Sequence, residues 1–111
     1  MRKVVWIVAV LGIGLGLAAC RRSDMRTITI DVPGMKNGAC ADIVVSAIGR
    51  AHLIPRERIA VDLERRTVTV TYESLNLSLK NIEFTIAESG FTADTIPAVP
   101  SAVEKLPPEC R

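Results

Sequence analysis

The sequence predicts an α+β fold with four strands and two helices in two layers. Three observations predict it. Apolar residues alternate at period two in several short segments. They recur at helical spacing in two longer ones. The two kinds of segment follow one another as strand, helix, strand, strand, helix, strand.

The first strand is predicted over Thr27 to Val32, with Ile28, Ile30 and Val32 on one face and Thr27, Thr29 and Asp31 on the other. Pro33-Gly34 ends it. From Cys40 the period becomes helical, with Val44, Ala47, Ile48 and Ala51 on one face, Ile43 flanking them and Asn37 placed to cap the start. Arg58 to Leu63 and Thr67 to Tyr72 alternate again. Only Glu64-Arg65-Arg66 separates them, so they form a hairpin. Ser78 is placed to cap a second helix that buries Leu79, Ile82 and Ile86 and turns Glu83 and Glu88 to solvent. Gly90 ends this helix. Phe91 to Ile96 is the fourth and weakest strand. This order is that of the ferredoxin-like βαββαβ two-layer sandwich. Its antiparallel four-stranded sheet carries both helices on one face, with the last strand beside the first.

The 111 residues suffice for one such domain. Four segments are expected: residues 1–19, 20–25, 26–97 and 98–111. The first has the order of a secretory signal: basic Arg2-Lys3, apolar Val4 to Leu17, small Ala18-Ala19. Leu17-Ala18-Ala19-Cys20 resembles the bacterial lipobox. The resemblance implies cleavage before Cys20, lipid attachment on Cys20, and a membrane anchor of more than one acyl chain. Arg21 follows Cys20, in place of the Asp that commonly holds lipoproteins at the inner membrane. The expected location is therefore the periplasmic face of the outer membrane if the source is Gram-negative. Residues 20–25 are a lipidated linker, 26–97 the domain, and 98–111 a Pro-rich tail expected to be largely disordered. Arg2 and Lys3 account for the net charge of +2, so the exported body is neutral. A neutral body with one Trp, one Tyr and two Phe in the whole chain excludes a nucleic-acid binder.

The segment Pro33-Gly34-Met35-Lys36-Asn37-Gly38-Ala39-Cys40 resembles the metal loop of the heavy-metal-associated (HMA) domain family, Gly-Met-x-Cys-x-x-Cys. That family includes copper chaperones, the periplasmic mercury-binding protein and modules of metal-pumping ATPases. Gly34 and Met35 match, Cys40 matches the second Cys, and Asn37 stands in place of the first. Val44, Ala47 and Ile48, the segments Ile59 to Leu63 and Val68 to Val70, and Gly90-Phe91 extend the resemblance over residues 26–97. The resemblance implies a soft metal ion held by thiolate, Cu(I) first and Hg(II) or Zn(II) next. It also implies a metal-transporting ATPase or another metal-handling protein as partner.

One sulfur of the family's pair is missing, and several arrangements can supply or dispense with it. The tail is long enough to bring Cys110 to Cys40, at about 3.3 Å per extended residue. Two molecules can share a metal through Cys40, as a metal-bridged homodimer. A partner protein can donate the sulfur. Alternatively Cys40 packs as a small apolar residue, or Cys40 and Cys110 form a structural disulfide, which an exported compartment permits. Met35 is expected to pack beneath the loop, and His52 to lie in a loop beyond the first helix. No nucleophile, base and orienting group fall into a catalytic pattern, so the chain is not expected to be an enzyme. The leading expectation is an envelope-anchored heavy-metal-binding protein that works by thiolate exchange. The alternative is a metal-free interaction domain of the same fold, with both cysteines structural.

Overall fold

The structure is a computed structural model, and it describes residues 23–111. The expected signal segment 1–19 and Cys20 lie outside the described residues. The main elements are β1 (Met25–Asp31), α1 (Gly38–His52), β2 (Ile59–Asp62), β3 (Thr67–Glu73), α2 (Leu79–Glu88) and α3 (Pro100–Val103). The sheet is antiparallel with order β1-β3-β2. Met25 opposes Glu73 and Asp31 opposes Thr67, so β1 and β3 pair along their full length.

Alternation places the two faces as expected for β1 and β3. Ile30, Val68 and Val70 point into the core and are buried with Val44, Ile48, Ile82 and Ile86 from the two helices. On the other face Thr27 meets Thr71 and Thr29 meets Thr69, with hydroxyl pairs at 3.0 and 3.2 Å. Such cross-strand pairs suit a wet sheet face. β2 is shorter than expected and buries only Ile59. Val61 and Leu63 lie at the surface.

The expected fourth strand does not form among the described residues. Phe91 to Ile96 makes a tight turn instead, closed by Ala93 N–H to the Ile96 carbonyl at 3.0 Å and the reverse bond at 2.8 Å. The turn is built on Asp94, which sits at φ 50°, a left-handed conformation that Asp tolerates better than most residues. Asp94 reaches the edge of β1 at one register position only. Its N–H donates to the Asp31 carbonyl at 2.8 Å, and its Oδ1 accepts from the Asp31 N–H at 2.9 Å. Pro97 and Pro100 follow, and proline has no N–H to extend a ladder. The sheet therefore stops at three strands.

The tail is also ordered, contrary to expectation. Val99 N–H bonds the Ala87 carbonyl at 3.0 Å and starts α3. Leu106 is buried against Gly90, where a Cβ would come within 2.8 Å of the Leu106 side chain. Gly90 has φ 107°, so both its backbone and its neighbour require glycine. The chain ends in a single 3-10 turn over Pro108–Cys110.

Two polar side chains differ from the sequence reading. His52 is the last residue of α1 rather than a loop residue, and its Nε2 lies 2.7 Å from Thr85 Oγ1, tying α1 to α2. Glu83 does not face solvent. It is 3% exposed, and its Oε1 has no hydrogen-bond partner. Burial pushes its carboxyl above the usual carboxylate range, and a hydrogen bond with the Asp94 carboxylate adds to the rise. The Lys80 ammonium at 3.8 Å offsets it in part. The folded protein therefore holds this proton to higher pH than the unfolded chain. The stability it supports is complete below the unfolded carboxylate pKa and is lost as pH rises through the raised folded value. Glu83→Gln is expected to stabilise the domain by about 1 kcal/mol at pH 7. The gain should vanish below about pH 4, as read by urea unfolding at both pH values.

Candidate metal site

The loop between β1 and α1 is held from both sides. Val32 N–H donates to the Arg66 carbonyl at 2.8 Å, and Arg66 Nη1 donates to the Pro33 carbonyl at 2.9 Å. Met35 N–H returns to the Val32 carbonyl at 3.1 Å, and the Met35 side chain is fully buried. Gly34 lies against the Phe91 ring, where a Cβ would come 2.9 Å from Cδ1. The loop is thus shaped by its underside packing.

Asn37 is extended, at φ −150° and ψ 179°, and caps α1 by accepting the Cys40 N–H on Oδ1 at 3.0 Å. An Asn at this position satisfies a backbone donor that would otherwise be orphaned. Asn37→Ala is expected to cost about 1 kcal/mol and Asn37→Ser far less, measured by thermal unfolding.

Cys40 sits in the first turn of α1, fully buried. The tail brings Cys110 to it. The two form a disulfide across 70 residues, with Cα atoms 5.6 Å apart. The tail reaches this point through contacts of its own. Leu106 packs on Gly90, Lys36 Nζ donates to the Arg111 carbonyl at 2.8 Å, and Arg111 donates to the Leu106 and Glu104 carbonyls at 3.0 and 3.1 Å. Gly34, Met35, Asn37, Cys40 and Cys110 therefore meet at one end of the domain. Sequence reasoning missed Leu106, Lys36 and Arg111. The only signal for them was a lone apolar residue between Lys105 and Pro107, four positions before a cysteine.

The donor set is narrow. Among the described residues there is no group of three or more His, Cys, Asp or Glu able to hold a metal ion. As a disulfide the two sulfurs carry no thiolate. Reduced, they would be two soft donors at a helix N-terminus, whose partial positive charge favours thiolate. Two sulfurs alone fit near-linear coordination of a soft ion and fall short of the four ligands of a structural zinc site.

Two solved structures resemble this domain. Oxidized MerP from Ralstonia metallidurans CH34 superposes with a TM-score of 0.58 at 27% identity, over 64% of this chain and 96% of that one. A protein of Bacillus anthracis str. Ames, provisionally named as copper-ion-binding, gives a TM-score of 0.57 at 27% identity, over 66% of this chain and all of the other. The domain is HMA-like in fold. No protein-family model matches the sequence, and no curated protein matches it. The HMA-like domain thus keeps the helices and the β1-β3-β2 sheet, and has a disulfide-tied tail at the loop end.

Proposed function

We propose that this HMA-like domain is a heavy-metal carrier, and that Cys40 and Cys110 together are its metal-binding pair. The single observation that carries the reading is the meeting of the two sulfurs at the loop that resembles the family's metal loop. The two similar structures, MerP and the copper-ion-binding protein, support binding of a heavy metal in general. Cargo binding requires the reduced form. A dithiol reductant delivers two electrons and two protons to the disulfide, becomes a disulfide itself, and leaves two thiols. Uptake of the ion then displaces thiol protons. A two-sulfur site favours Cu(I), with Hg(II) next, and Zn(II) only if a partner adds ligands. With both sulfurs in one chain, a metal-bridged homodimer is not needed. The chain acts as a carrier rather than an enzyme. It works on the envelope, anchored by lipid on Cys20, and passes its ion to a metal-transporting ATPase or another metal-handling protein.

The test is Cu(I) competition against a chromophoric chelator, under anaerobic and reducing conditions, with residues 21–111. Tight binding that is lost in both Cys40→Ser and Cys110→Ser is the expected result. Loss in Cys40→Ser alone would remove Cys110 from the site. Binding no tighter than in the double variant would favour the second reading, a metal-free interaction domain stapled by the disulfide. What favours that reading is the burial of both cysteines and the packing contacts that hold the tail independently of a metal.

A further inference from the structure

The end of the domain opposite the disulfide carries an apolar surface that the carrier reading does not use. β1 begins there, β3 ends there, α1 ends there and α2 begins there. Met25 is 42% exposed, Leu53 87%, Leu75 58% and Leu79 37%. Leu53 is the most unusual of them. It holds the α1 C-cap position at φ 53°, where Gly or Asn is the ordinary choice, and its side chain gains nothing from the core. Two adjoining hollows connect the three leucines. One is lined by Leu75, Leu77 and Leu79, the other by Leu53, Ile54 and Leu77. The charges there are mixed: Arg26 and Arg58 stand among Asp24, Glu57 and Glu73. The surface is therefore distinguished by its apolar side chains.

The covalent chain says what lies next to it. Four residues lie between Cys20 and Met25, so the five steps span at most about 18 Å when fully extended. An acyl anchor on Cys20 therefore keeps this end of the domain within that reach of the lipid headgroups. We propose that Met25, Leu53, Leu75 and Leu79 form a membrane-docking surface whose partner is the bilayer holding the Cys20 lipid. The inference rests on the lipid-anchor reading. Apolar side chains presented this way bury at the boundary between headgroups and acyl chains. Docking stands β1 away from the membrane, so the Cys40–Cys110 end faces outward, about 20 Å further from the lipid at the rise of a seven-residue strand. A tether alone would let the domain tumble. Docking would fix which end a soluble partner meets.

The sole Trp, Trp6, lies in the expected signal segment, so the mature chain has none. Single reporters can then be introduced at exposed positions as Leu75→Trp, at the proposed surface, and Leu63→Trp, at the far hairpin. The lipidated mature protein is reconstituted in vesicles of phosphatidylethanolamine and phosphatidylglycerol containing lipid brominated on its acyl chains. Flotation with the vesicles reads the anchor, and quenching of Trp emission reads docking. The expected result is flotation of both variants, with several-fold stronger quenching and a blue shift for Leu75→Trp only. Flotation with equal or negligible quenching of both would overturn the docking surface and leave the anchor intact. Failure to float would overturn the anchor reading and the docking surface with it.

Discussion

Cys110→Ser is expected to lower the stability of the oxidised protein by about 4 kcal/mol, the chain-entropy value for a loop of this size. The disulfide joins positions 70 residues apart, so it encloses most of the domain and restricts the unfolded chain strongly. The variant should still fold. The helices and sheet form one core without the bond, and the tail retains Leu106 on Gly90 and the Lys36 and Arg111 hydrogen bonds. Urea unfolding measures the effect directly. The wild type should fall to the level of Cys110→Ser on addition of a reductant, whereas the variant should be insensitive to it. A wild-type midpoint that ignores the reductant would mean that the bond does not constrain the unfolded chain. Because the tail packs independently, Leu106→Ala should add a further loss when combined with Cys110→Ser.

Phe91→Ala is the second large effect, about 3–5 kcal/mol. The ring is almost completely buried and lies on the backbone of Gly34. Truncation removes apolar contact and leaves a cavity under the loop that leads to Cys40. The partner position gives a sharper check. Gly34→Ala puts a Cβ 2.9 Å from Phe91 Cδ1, closer than side-chain contacts allow, and overpacking of this kind costs about 1–3 kcal/mol. In the Phe91→Ala background that clash is gone, so the second substitution should cost little or even restore some packing. The two changes are therefore expected to be non-additive in a double-mutant cycle. Additive costs would place the ring away from the loop.

The parts of the fold legible from sequence are those where local pattern and burial agree. β1 and β3 alternate cleanly, and each side chain finds the face its parity predicts. Asn37 and Ser78 both cap the helices they precede. The failures share a cause: long-range contacts that period alone does not encode. The Phe91 to Ile96 segment has enough apolar residues to read as a strand, but the left-handed Asp94 and the prolines beyond it turn the chain after one bridge. The prolines of the tail suggested disorder. They instead set the turns that carry Leu106 and Cys110 back over the domain. Glu83 follows the polar parity of α2, yet the turn at Asp94 covers it. At the candidate site, chain length allowed Cys110 to reach Cys40 but did not require it. The path was decided by Gly90, whose missing side chain makes room for Leu106.

The central proposal is that Cys40 and Cys110 act as one two-sulfur unit once reduced. The most direct measurement is thiol protection. The reduced, metal-free chain of residues 21–111 is treated with an alkylating reagent under mild denaturant, with and without one equivalent of Cu(I), and the modified cysteines are located by mass spectrometry. Both cysteines should be modified without metal, and Cu(I) should protect both together. Modification of Cys110 at an unchanged rate in the presence of Cu(I), or of both cysteines, would contradict the proposal.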